Sequence, residues 1–327
     1  MDVVESLPLQ KPSPNSGLLP ITMLALCCLL WGISFPLAQR STAMMEKTAG
    51  SDQLATVVRP AFNGLRFVVA ALVYLVLTFP QQRRFSRSDI VGGASVGVFF
   101  TLGLFLQLIG LRYTTPSISA FLTALSVVFA PLAQACVLKR KVSGTLWLSV
   151  ILAAGGTALL SWPGADNLGA NSYVEKPPIP LLGEMLTIIA SVMFTLQILA
   201  LDRYGQSANP IRLTFIMFAV CGILSVLVSC TCGGTSLFSP AMLHTLLTNA
   251  HFAWMFVVLV LLSSVIAMHL MNRYQPLIAP AAATVIYCLE PVFATAYSGL
   301  LGAEAITLFT LVGGGIILLA VLLIAKA

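Results

Sequence analysis

The sequence predicts an all-α integral membrane protein with ten transmembrane helices in two five-helix repeats of inverted topology. Three observations lead there. The composition is 58% hydrophobic and 9% charged, whereas a water-soluble domain carries roughly 25% charged residues, so lipid must cover most of the surface. The 327 residues divide into ten apolar runs near the length of about 20 residues that a bilayer crossing needs. Residue patterns also recur in the same order in both halves.

The first 17 residues are polar and carry Pro8, Pro12 and Pro14. They read as a cytoplasmic tail, 1–17. The first apolar run, 18–38, exceeds the about 7–15 residues of a cleavable leader and is expected to stay as a span. Runs at 61–79, 89–110, 117–138 and 144–162 complete the first repeat, 18–162. A connecting loop, 163–179, leads into runs at 180–201, 211–230, 252–272, 277–299 and 304–325, the second repeat, 180–325. The longer connections 39–60, 163–179 and 231–251 are rich in Gly, Pro, Ser, Thr and Asn and are expected to be loops.

Alternate loops differ in basic residues. One set holds Lys11, Arg83, Arg84, Arg87, Lys139, Arg140, Lys141, Arg203, Arg212, Arg273 and Lys326; the other holds Arg40, Lys47, Arg59, Arg112 and Lys176. Basic loops stay in the cytoplasm, so both termini are expected there, in a cell (inner or plasma) membrane. The net charge of +6 is thereby accounted for without nucleic acid. Leu18-Leu19 and Trp31 correspond to Leu181-Leu182 and Phe194, Arg40 to Arg203, and Asn63 and Arg66 to Asn209 and Arg212. Arg112-Tyr113 corresponds to Arg273-Tyr274, and Pro131 and Gly155 to Pro291 and Gly315. Five helices is an odd number, so a second copy must enter the membrane from the opposite side. Inverted repeats of this kind hold a midplane site between them.

Three segments carry a family resemblance. LLWGISFP (29–36) resembles a first-helix signature and LRFVVAAL (65–72) a second-helix Arg-Phe motif. TVIYCLEPVFATAYSGLLGAE (284–304), followed by Gly313-Gly314-Gly315, resembles the ninth and tenth helices. Together they resemble the drug/metabolite transporter superfamily in its EamA-type branch, across residues 18–325. The resemblance implies ten helices, an inverted repeat, and export or exchange of small metabolites, often amino acids. One departure is Lys139-Arg140-Lys141, where many members place a Glu.

Glu290 stands out among the candidate site residues. A carboxylate at mid-depth costs at least about 2.5 kcal/mol on insertion scales, so it is expected to face a cavity or a partner. It could contact substrate or carry a proton, or bond backbone freed by the kink at Pro291. Thr284 and Tyr287 share its stripe. Trp31 and Ser34 share a face of the first helix, Gln107 lies in the third, and Ser119, Thr123 and Ser126 fall at i, i+4 and i+7 of the fourth. These hydroxyls suit either cavity lining or bonds between helices. His269 in the eighth helix is a proton-switch candidate or a packing residue. Arg66 could bind an anionic substrate, but it is expected to snorkel to the interface. Glu184 and Glu304 are expected in first turns, where the helix dipole favours them.

The expected working is a secondary carrier in which one repeat rocks against the other. The expected partners are a small-molecule substrate, the lipid bilayer and, as candidate coupling ions, protons. No phosphate-binding loop motif supports an ATP site. No cofactor, metal ligand set or catalytic residue is expected, and the seven cysteines imply no disulfide framework. Gly93-Ala94-Ser95-Val96-Gly97 matches a nucleophile-elbow pattern, which with His269 would suggest a membrane-embedded hydrolase. That motif needs a strand–turn–helix context. In an apolar helix the spacing reads as small-xxx-small packing.

Overall fold

The computed structural model describes residues 18–50, 54–82, 84–110, 113, 116–161, 180–300 and 307–326. All regular structure among them is helical. Seven helices are long and apolar enough to cross a membrane: Leu18–Ala49, Val57–Gln82, Arg87–Gly110, Leu181–Gly205, Pro210–Thr231, Ala250–Leu277 and Leu308–Lys326. Phe121–Cys136 and Gly144–Leu160 are shorter apolar helices.

Several of these are interrupted. The first is α1 (Leu18–Gly32) followed by α2 (Ser34–Ala49), separated at Ile33. After α3 (Ala55–Thr78) and α4 (Arg87–Gly110) come two pieces, α5 (Pro116–Thr123) and α6 (Ser126–Cys136). The helices α7 (Gly144–Leu160), α8 (Pro180–Gly205) and α9 (Pro210–Thr231) are continuous. A short helix, α10 (Pro240–Thr248), precedes α11 (Ala250–Val258). A π-helical segment, Leu259–Ile266, joins α11 to α12 (Ala267–Tyr274). Then α13 (Pro280–Tyr287) and α14 (Leu289–Leu300) are separated at Cys288, and α15 (Leu308–Lys326) ends the bundle.

Local chemistry sets the helix starts. Asn209 caps α9 by accepting from the Ile211 N–H (2.9 Å), with Pro210 at the first helical position. Ser143, Ser239 and Asn249 cap α7, α10 and α11 in the same way. Ser86 and Asp89 form a reciprocal box at the start of α4, with bonds of 3.1 and 2.8 Å, satisfying two orphan N–H groups. Gly50 closes α2 at φ 63°, a left-handed conformation that glycine adopts without strain.

Two expected loops are corrected. The segment 39–60 is largely helix, because α1 runs on into α2 through Ala49, and 231–251 carries α10. The fourth expected helix is interrupted between Thr123 and Ser126, so Ser119 and Thr123 lie on α5 and Ser126 opens α6. Glu184 lies beyond the first turn of α8, and Glu304 lies outside the described residues.

The two halves do not form separate bundles. The most extensive packing joins them: α4 against α8 and α9, α3 against α9, and α7 against α15. Glycines make these approaches possible. A Cβ on Gly93 would lie 2.7 Å from Leu213 O and from Ile216 Cβ, and one on Gly103 would lie 2.7 Å from the Phe194 ring. A Cβ on Gly64 would lie 2.8 Å from Val226 and one on Gly222 2.8 Å from Val68, a reciprocal pair between α3 and α9. A Cβ on Gly156 would lie 2.8 Å from Gly313 O, and one on Gly313 2.6 Å from Gly156 O. The Gly93–Gly97 spacing is therefore a packing surface against α9.

Two ion pairs also tie one half to the other at one end of the bundle. Arg140 meets Asp202 at 2.8 Å. Arg212 meets the buried Asp89 at 3.1 Å and donates to the carbonyls of Gln81 and Arg84. Asp89 also accepts from the Asn209 N–H at 2.7 Å. Arg212 therefore sits in the first turn of α9, while Arg66 lies midway along α3. The two corresponding residues thus occupy different positions along their helices.

Candidate functional site

Of the interrupted helices, α1–α2, the π-helical segment with α12, and α13–α14 meet around Trp31. Its indole Nε1–H donates to Ser263 O at 3.1 Å. That carbonyl belongs to the π-helical segment, where the wider turn changes the regular bonding ladder. The Trp31 ring lies 5.7 Å from the Tyr287 ring, tilted by 52°. Tyr287 OH donates to Gln275 Oε1 at 2.8 Å, and Gln275 in turn donates to Ile198 O at 3.0 Å. The Tyr287 hydroxyl is thus oriented by a second buried side chain. Below Trp31, Cys27 Sγ donates to Ala267 O at 3.2 Å and Cys28 Sγ to Ile286 O at 3.5 Å, tying α1 to α12 and α13.

Glu290 lies three residues beyond Tyr287 and is partly buried. It falls in the first turn of α14, whose start at Leu289 follows the break at Cys288. The backbone N–H groups there favour a negative charge. Among the described residues the ion pairs are Arg140–Asp202 and Arg212–Asp89, so Glu290 has no cationic partner there. The next turn packs on α1, with Gly32 pressed against Phe293 and Ala294.

The other expected residues fall into separate pairs. Gln107 Nε2 donates to Thr123 Oγ1 at 2.9 Å, and Thr123 donates to Ser119 O at 2.8 Å. His269 Nδ1 and Tyr74 OH are 2.7 Å apart. His269 is therefore engaged with α3. Ser34 and Ser126 are each the first residue after a helix break and are partly buried. Thr284 donates to Ala281 O at 2.9 Å, a local bond that occupies its proton. Ser119 Oγ is buried with no partner among the described residues.

Arg66 is corrected. It does not snorkel; it is 8% exposed. Its Nε donates to Ser264 Oγ and its Nη2 to Ser263 Oγ, both at 2.8 Å, and its guanidinium lies 5.5 Å from the Phe67 ring centroid. In the sequence Ser263-Ser264 is a polar pair inside an apolar run, with nothing to name Arg66 as its partner. Two grooves, of about 360 and 280 Å³, lie near α2. The first is lined by Arg40, Met44, His251 and Trp254, away from Trp31.

Both halves match one family model, described as the EamA-like transporter family, over residues 18–162 and 181–326. An "Uncharacterized transporter" of Archaeoglobus fulgidus is 28% identical over 307 residues, which cover 92% of this chain and 84% of that one. A solved crystal structure is similar with a TM-score of 0.65 at 16% identity, covering 95% of this chain and 96% of the other; at that identity the likeness shows the fold. Two matched copies span nearly the whole chain, its apolar helices demand a lipid environment, and a small-molecule substrate follows from the family. The chain is an integral membrane protein that belongs to the EamA-like transporter family.

Proposed function

We propose that this transporter is a secondary carrier of amino acids or related small metabolites, exporting them from the cytoplasm by alternating access. Ten helices in two inverted five-helix repeats, bounded at 18–162 and 180–325, would cross the cell membrane with both termini in the cytoplasm. The observation that carries this reading is Glu290: a carboxylate without a cationic partner among the described residues, at a helix break, three residues from the Trp31–Tyr287 ring pair. Discontinuous helices at such a site are how many carriers hold substrate. Trp31 and Tyr287 would give apolar contact. Ser34, Gln107, Thr123, Ser126 and His269 would line the route, and a proton on Glu290 would couple transport.

The packing modifies how access alternates. Glycine-lined contacts join the halves along α3, α4, α8 and α9, so one repeat does not rock freely against the other. Motion is assigned instead to the interrupted helices α1–α2, α5–α6, α11–α12 and α13–α14, whose mutual contacts are less extensive. Two measurements test the proposal. Reporter fusions at residues 17 and 327 should both read cytoplasmic; one terminus outside removes the ten-helix inverted arrangement. Proteoliposomes holding the purified chain should accumulate amino acids from a labelled panel, and uptake equal to that of empty liposomes across the panel rejects the carrier reading.

A further inference from the structure

Arg66 poses a charge problem that its neighbours do not solve. It lies midway along a membrane-crossing helix, between Leu65 and Phe67, and is 8% exposed. Both of its hydrogen-bonding neighbours, Ser263 and Ser264, are neutral hydroxyls. The ion pairs among the described residues lie elsewhere. A buried cation without a counter-charge is costly in the membrane interior and marks a functional position.

The way Arg66 is held is specific. Two consecutive serines reach one guanidinium. Neighbouring side chains on an α-helix point about 100° apart, but Ser263 and Ser264 sit in the π-helical segment Leu259–Ile266, whose turn is wider. Ser264 Oγ also donates to Leu259 O, five residues back, at 3.2 Å. The serines take Nε and Nη2, one side edge of the guanidinium. An arginine has five N–H donors, so Nη1 and the second Nη2 proton remain at its tip. That tip has the spacing of a carboxylate, which it binds through two parallel bonds. The same π-helical segment supplies the carbonyl that holds Trp31. One distortion thus fixes both the cation and an aromatic ring of the proposed transport site.

We infer that Arg66 binds the carboxylate of the transported compound, with Ser263 and Ser264 as the positioning residues that aim its guanidinium. The inference rests on the carrier reading above and names the substrate's charged group. Because Arg66 is covered in this conformation, the carboxylate reaches it when the segment around Ser263 and Trp31 withdraws, and the arriving charge compensates the buried cation.

The experiment uses the full-length chain in proteoliposomes and a panel of labelled amino acids, each paired with its carboxamide as competitor. The expected result is uptake of at least one acid that its carboxamide does not inhibit. Arg66→Gln should abolish that uptake. Arg66→Lys keeps the charge but loses the fork and should raise KM by tenfold or more. Ser263→Ala and Ser264→Ala should raise KM while leaving maximal rate within about twofold, a split that a general loss of packing would not give. If Arg66→Gln is not recovered as folded protein, Arg66→Lys and the serine variants decide. Uptake inhibited equally by acid and amide, or wild-type KM in Arg66→Lys, overturns the inference and leaves the carrier reading standing. A chain that moves no member of the panel overturns both.

Discussion

Glu290→Gln is expected to lower transport by roughly 10–100-fold at unchanged membrane abundance, the loss that follows when a charge-assisted hydrogen bond becomes a neutral one. The amide keeps the shape of the side chain and is easier to bury than a carboxylate, so α14 should still insert. What disappears is the ionisable group, and any pH dependence it confers should disappear with it. The start of α14 tightens the test. A carboxylate in that first turn gains from the helix dipole whether or not it meets substrate. A purely local role predicts reduced protein in the membrane with normal activity per molecule. Uptake rate across a pH series and membrane protein amount, measured together, separate the two. A wild-type rate and pH profile would remove Glu290 from the coupling role.

Gly93→Leu is expected to destroy the fold in the membrane, while Gly155→Ala leaves it intact. The Gly93 Cβ position meets the backbone oxygen of Leu213 at 2.7 Å, and a backbone oxygen cannot rotate aside as a side chain can. Overpacking costs about 1–3 kcal/mol when neighbours yield, and more here, because α4 must separate from α9. Gly155 has nothing within 4 Å of its Cβ position. Thermal stability of the detergent-solubilised protein checks both: the Leu variant should aggregate or melt many degrees lower, and the Ala variant should match wild type. Equal melting of the Gly93 variant and wild type would show that the α4–α9 contact does not hold the bundle together.

Composition made the lipid environment legible, and apolar length located most spans within a few residues. It failed where helices carry charge or where backbone, not side chains, sets the structure. Gln39, Arg40, Glu46 and Lys47 ended the first apolar run, yet the backbone continues helically to Ala49 because polar side chains at a membrane surface do not stop a helix. The break at Cys288 lies within the turn that Pro291 disturbs and was announced by it; the break near Leu125 has no such residue and was not. Trp31, Tyr287 and Glu290 were readable as candidates from chemistry and depth. The grip of Ser263 and Ser264 on Arg66 was not: it joins residues 197 and 198 positions apart in the chain and depends on a π-helical turn that side-chain periodicity does not encode. Gln275, which orients Tyr287 across the turn between α12 and α13, was not singled out either, because nothing in the sequence set the register of that turn.

The contrast between α4 and its counterpart in the second half bears on how the protein is made. Gly92, Gly93, Gly97, Gly103 and Gly110 line α4, and each faces a residue of α8 or α9; Ala250–Leu277 contains no glycine. During synthesis α4 leaves the ribosome more than a hundred residues ahead of the end of α9. At roughly 5–20 residues per second, its glycine grooves face lipid for on the order of ten seconds before their partners arrive. For that interval the first half is an unfinished surface, open to the membrane's quality-control proteases and to mispairing with other helices. Biogenesis of this chain therefore depends on its second half being inserted promptly, and a ribosome stall between residues 110 and 210 should be more damaging than one of equal length after residue 231.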